Sequence, residues 1–255
     1  MIGPAAFTRS CHCGIELHAV SGETPDACAI PHKDAMNAPP SPSFWKRNGL
    51  SLVLVALFAM FLFGQIMAGH AAWNEDRLGG HLPPETLAIY LTSGHFLSAT
   101  FENWESEFLQ MGMYVLLTVW LRQRGSAESR PIDPAEEEER VDPGPTPAPV
   151  LAGGVWRWMY AHSLSIAFLV LFVLSFVLHA CGSWQHENDE RGMAGKPLIS
   201  LVEHLGGAQF WFESFQNWQS EFLAVLSIVV LSIFLRQDKS PESKPLAAPH
   251  RQTGT

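Results

Sequence analysis

The sequence predicts an all-α membrane protein, with four transmembrane helices arranged as two tandem, parallel two-helix repeats. Three observations carry this prediction. The nine residues Phe101-Glu-Asn-Trp-Glu-Ser-Glu-Phe-Leu109 return as Phe215-Gln-Asn-Trp-Gln-Ser-Glu-Phe-Leu223, 114 positions later. Each copy leads into an apolar run that closes on Leu-Arg-Gln, at residues 121–123 and again at 235–237. Hydrophobic residues, 47% of the 255, are concentrated in four such runs, and the charged fraction of 16% lies well below the roughly 25% of soluble domains.

Residues 1–43 hold six prolines and no helical period, and no apolar core follows Arg9, so the segment reads as a disordered cytoplasmic N-terminus and not as a signal peptide. Cys11, His12, Cys13, His18, Cys28 and His32 are metal-capable, but one residue between Cys11 and Cys13 is closer than the usual zinc spacing. Residues 1–35 also read as an upstream extension, with Met36 as the true start. The first repeat, 44–131, opens on Trp45-Lys46-Arg47, an aromatic and basic anchor. The uncharged run Leu50 to Ala68 follows, long enough to cross a hydrocarbon core of about 30 Å. After a polar connection, in which Leu87 to Leu91 forms a short surface turn, comes the run Phe108 to Leu121. This run is too short by itself. Placing the N-cap at Thr100, and at Ser214 in the second copy, lengthens the helix to about 24 residues, or about 36 Å.

Residues 132–157 form an acidic, Pro-rich linker around Glu136-Glu-Glu-Glu139 that cannot bury a core. The second repeat, 158–245, carries the runs Leu164 to Ala180 and Phe222 to Leu235, and 246–255 reads as a disordered tail. Sliding the chain by 114 aligns 44–131 with 158–245 without a gap and gives 26 identities in 88 positions. Many are polar: Asn74 with Asn188, Arg77 with Arg191, Pro83 with Pro197, Ser126 with Ser240, and Glu128-Ser129 with Glu242-Ser243. Shared apolar composition does not produce such matches. Two spans per unit make the repeats parallel. Lys46, Arg47, Arg122, Arg124, Arg157, Arg236 and Lys239 flank one side, against Arg77, Arg191 and Lys196 in the hairpin connections. Both termini are therefore expected in the cytoplasm.

The two copies of the motif, together with Leu121-Arg-Gln-Arg-Gly-Ser-Ala-Glu-Ser129, resemble an uncharacterised family of bacterial integral membrane proteins, over roughly residues 44–245. The resemblance implies a multi-pass protein of the bacterial inner membrane and supplies no catalytic residue.

On a helical wheel Asn103, Glu107, Gln110 and Tyr114 fall on one stripe. Polar groups on a spanning helix face protein or water, because an unpaired one in hydrocarbon costs several kcal/mol. Asn103, Glu107, Asn217 and Glu221 are the polar positions repeated on that stripe, and these four are the candidate functional or packing residues. The leading expectation is a non-enzymatic structural or interaction protein, its repeats packed through these residues. The alternative is a small cation or proton channel or transporter using Glu107 and Glu221 in an outer vestibule. The histidines of the connections do not keep their places under the shift, and Cys181 reads as a packed small residue. No nucleotide, nucleophile or metalloprotease motif is present, and no basic face suits nucleic acid at a net charge of -9. The expected partners are the lipid bilayer and a second copy of the chain, with no cofactor.

Overall fold

The computed structural model describes residues 43–137 and 141–254, apart from the Glu136 side chain. The expectations about the N-terminal cysteines and Met36 lie outside these residues. The described residues are helical, with no strand. They comprise α1 (Phe44–Gly79), α2 (Leu87–Tyr90), α3 (Gly94–Trp120), α4 (Ala148–Ala152), α5 (Gly154–Ala161), α6 (Ser163–Met193), α7 (Leu201–Leu205) and α8 (Ala208–Phe234). The chain divides into two units at Val53. The described part of the first is the opening of α1, where Phe44 and Trp45 meet edge to face. The second unit runs from Leu54 onward.

Among the described residues three helices, α1, α6 and α8, are long and apolar enough to cross a membrane. α3 is as long as α8, 27 residues and about 40 Å, but Glu102, Glu105 and Glu107 interrupt its first half. The N-caps are not where the sequence placed them. Ser93 caps α3, its hydroxyl accepting from Phe96 N, and α8 starts after Gly207. Thr100 and Ser214 lie buried inside the helices instead. Nothing breaks the backbone ladder before them, and Thr100 Oγ1 accepts from Gln65 Nε2 of α1 at 3.2 Å.

The polar matches at the 114-residue offset correspond to hydrogen bonds that occur twice. Asn74 brackets residue 85 through its backbone N and O, and Asn188 brackets Ile199 in the same way. Arg77 holds the Pro83 carbonyl and Arg191 the Pro197 carbonyl. Arg122 donates to the carbonyls of Thr118, Val119 and Leu121, and Arg236 to those of Ser232, Ile233 and Leu235. Ser129 Oγ accepts from Gln123 N as Ser243 Oγ does from Gln237 N. These side chains stitch down the loops at each helix end, where backbone groups lack partners. They also explain why α1 and α6 run on, past their apolar cores, into what the sequence suggested were polar connections.

α3 crosses α6 antiparallel and close. A Cβ on Gly94 would stand 2.4 Å from His186 N, and one on Gly182 would stand 2.6 Å from Ser98 N. Further along, Gly112 faces Phe168 Cβ. Ser98, Glu105 and Gly112 on α3, and Phe168, Ser175 and Gly182 on α6, each recur every seven residues, the spacing that keeps two helices in register. Small residues let the backbones approach. The positions matching Gly94 and Gly182 in the other copy are Ala208 and Ala68, and no comparable crossing joins α1 to α8 among the described residues. The helices around α3 are thus unequal.

The tail, expected to be disordered, folds back. Lys244 Nζ, 1% exposed, donates to the carbonyls of Gly125, His250 and Gln252. Gly125 N donates to Thr253 Oγ1 at 2.9 Å, and Gly254 N to the Ser126 carbonyl. Three carbonyls converge on the Lys244 ammonium, which is why the segment has a defined path. The linker carries α4, α5 and a 3₁₀ turn at Pro134–Glu136.

Gly94→Ala should destabilise the protein by about 1–3 kcal/mol, because the new methyl meets backbone and not a flexible side chain. Gly64→Ala has nothing within 4 Å and should be neutral or slightly stabilising. Thermal unfolding in detergent followed by circular dichroism distinguishes the two.

Candidate functional site

The buried stripe of α3 is polar: Ser98, Thr100, Glu105, Ser106 and Gln110. Glu105 has no exposure, and neither has His179 of α6, whose Nδ1 donates to Glu105 Oε2 at 3.0 Å. The other oxygen, Oε1, accepts from Trp218 Nε1 of α8 at 3.2 Å. One carboxylate therefore ties three long helices together, with both oxygens engaged. A carboxylate is an acceptor, so the proton of a neutral His179 sits on Nδ1 and its Nε2 carries a lone pair. Phe210 of α8 stacks on the imidazole, centroids 4.9 Å apart at 27°.

His179 Nε2 is buried and has no hydrogen-bond partner. The ligand atoms of Glu102, His179 and Glu213 lie within 4.8 Å of one another. Glu102 also accepts a short hydrogen bond from Asn217 Nδ2, and Glu213 Oε1 accepts from Gln209 Nε2 at 2.7 Å. Both carboxylates line a cavity of about 610 Å³ that is also walled by His95, His186, Glu187 and Glu190. Within it Glu187 is neutralised locally: Arg191 Nε lies 2.8 Å away, and His204 Nδ1 2.7 Å away. His204 Nε2 is held in turn by Ser183 Oγ at 3.0 Å. These groups make the end of the bundle that carries the motif strongly acidic and rich in imidazole.

Of the four residues singled out from the sequence, Asn217 touches this site directly, through Glu102. Glu221 contributes its backbone carbonyl, which accepts from Gln110 Nε2 at 2.9 Å. Asn103 is exposed and donates to Ala99 O of its own helix at 2.8 Å. Glu107 is exposed and borders an apolar groove with Phe58, Phe61 and Trp104. The repeated stripe of α3 does not face the polar cavity, because the close crossing with α6 turns Glu102 and Glu105 inward instead. Those residues were passed over because they do not repeat: Glu105 matches Gln219, Glu102 matches Gln216, His179 matches Gln65 and Glu213 matches Ala99. A change of chemistry between copies was the available signal.

At the opposite end, Tyr114 Oη donates to Glu128 Oε2 at 2.9 Å. Burial holds the Glu128 carboxyl above the ordinary carboxylate range, and repulsion from Glu242, its match in the other copy, acts in the same direction. Burial lowers the pKa of the Lys244 ammonium nearby, with Arg236 adding repulsion. A folded-state pKa above the unfolded value gives Glu128 a stabilising contribution below about pH 4.5 that is lost as pH rises through the folded value. Glu128→Gln keeps an acceptor for Tyr114 and removes the charge. It should raise the melting temperature at pH 8 relative to the parent, with the difference shrinking at pH 4, as measured by paired thermal melts.

Comparison with curated proteins finds no match, and neither does comparison with solved structures. A family model does match, over residues 41–255, a range that includes every described residue. The chain belongs to that family, the domain of unknown function DUF6766.

Proposed function

We propose that this chain is a four-span, non-enzymatic protein of the bacterial inner membrane, whose two tandem repeats are locked together around one buried carboxylate. α1, α6 and α8 supply apolar spans, and α3 serves as the fourth. α3 carries three glutamates in its first half, and its polar stripe faces protein, where Glu105, Ser106 and Gln110 are buried; polar groups within a membrane are tolerated on that condition. The matching bounds of α3 and α8, and the hydrogen bonds that recur at the same offset, support a duplicated ancestry. The excess of Lys and Arg beside the ends opposite the motif favours cytoplasmic termini.

The observation that carries this reading is the engagement of Glu105 by His179 of α6 and Trp218 of α8. Donors from two helices meet both oxygens of a carboxylate with no exposure, which makes it a helix-to-helix tie more readily than a group that releases and rebinds ions. Removing one partner of a buried pair costs about 3–5 kcal/mol, because the other polar group is left without compensation.

Glu105→Ala should therefore lower detergent-state stability by several kcal/mol, whereas Glu107→Gln should stay within about 0.5 kcal/mol of the parent. Both can be read from chemical unfolding followed by tryptophan fluorescence. Proteoliposomes holding the parent chain should show no cation or proton flux above empty vesicles. A flux that Glu107→Gln and Glu221→Gln abolish, without loss of folding, would overturn the structural reading in favour of a pathway.

A further inference from the structure

We propose that Glu102, Glu213 and Nε2 of His179 form a binding site for one divalent transition-metal ion, of the kind that accepts mixed nitrogen and oxygen ligands, as Zn²⁺ does. Three helices contribute, one residue each from α3, α8 and α6, and their ligand atoms fall within 4.8 Å of one another. Metal–ligand bonds of about 2.0–2.2 Å require these atoms to draw together by only around an ångström, well within the rotamer freedom of two half-buried glutamates.

The second, independent observation is His179 itself. It has no exposure, and its Nε2 lacks any hydrogen-bond partner. Buried polar atoms are nearly always satisfied, and an orphan calls for an ion, a water or a functional role. Its other nitrogen is fixed by Glu105, the carboxylate–histidine arrangement that sets the tautomer and orientation of metal-ligating imidazoles and raises their basicity. The lone pair on Nε2 is thereby presented to the two carboxylates.

Charge and access agree with this assignment. Glu102 and Glu213 offer two carboxylates, matched by a dication, and Arg191 of the cavity wall is engaged by Glu187 and not by them. Both glutamates line the polar cavity of about 610 Å³, through which a hydrated ion can approach. An imidazole ligand disfavours Mg²⁺ and Ca²⁺, which take oxygen donors. Three protein ligands leave at least one coordination position to water or to a further ligand, as in sites that act on small molecules.

The test uses the full chain, purified in detergent and stripped with a chelator. Equilibrium dialysis with Zn²⁺, and titration with Co²⁺ followed by its visible absorption bands, should both give one ion per chain. Glu213→Gln is expected to fold normally, since its side chain is half-buried and keeps an acceptor for Gln209, and to weaken Co²⁺ binding at least tenfold. Glu105→Gln, acting only through the orientation of His179, should weaken binding by about 10–100-fold and shift the Co²⁺ bands. Glu107→Gln should change neither. Absence of Co²⁺ binding by the folded parent overturns the site, as does unchanged affinity in a folded Glu102→Gln, Glu213→Gln double variant. Binding of Mg²⁺ or Ca²⁺ in preference to Zn²⁺ would overturn the assigned role of the imidazole.

Discussion

A carboxylate without solvent access has to be answered by donors, and the arrangement of the long helices follows from how Glu105 is answered. His179 must come within 3.0 Å of one oxygen and Trp218 within 3.2 Å of the other. Such distances go with α6 lying close against α3, which Gly94 and Gly182 permit and a Cβ at either position would force apart. The indole donor must come from the far side, which brings α8 against the same stripe of α3. Glycine at two crossing points and a charged group at the centre are therefore one constraint, not two features. Close packing without the glutamate would leave His179 unpaired, and the glutamate without close packing would be left in a cavity or in lipid.

Residues 114 positions apart make like hydrogen bonds in the loops and unlike ones on the helix faces. Asn74 and Asn188, Arg77 and Arg191, Arg122 and Arg236 make the same local hydrogen bonds. Local bonds of this kind depend on a few neighbouring residues, so they survive whatever the helices pack against. The buried faces are another matter. Gly94 and Gly182 become Ala208 and Ala68, Glu105 becomes Gln219 and His179 becomes Gln65. Among the described residues the close pairing of α3 with α6 consequently has no counterpart between α8 and α1. Two equivalent copies of a buried charge would have doubled the desolvation cost; one copy carries the charge and the other a neutral amide.

The long helices α1, α3, α6 and α8, their order and the short turn at Leu87 were determined by the sequence, through apolar runs and matches at a 114-residue offset. Their physical basis is local: 1.5 Å per residue, side chains that cap loops, and a period set by the backbone. Tertiary structure decided what local rules cannot. The helices start at Gly94 and Ala208, after the caps Ser93 and Gly207 and upstream of Thr100 and Ser214, where no side chain interrupts the ladder. The C-terminal segment is ordered by three carbonyls converging on Lys244, contacts that span up to 119 residues of chain. The centre of the site lies at Glu102, Glu105, His179 and Glu213 and not at the repeated Asn103 and Glu107. Matches at the 114-residue offset pick out side chains that bond locally, as Asn103 does to Ala99 O. The residues that join α3 to α6 and α8 lie 74 and 113 positions apart, and the close crossing at Gly94 and Gly182 puts Glu105, not Glu107, on the buried side of α3.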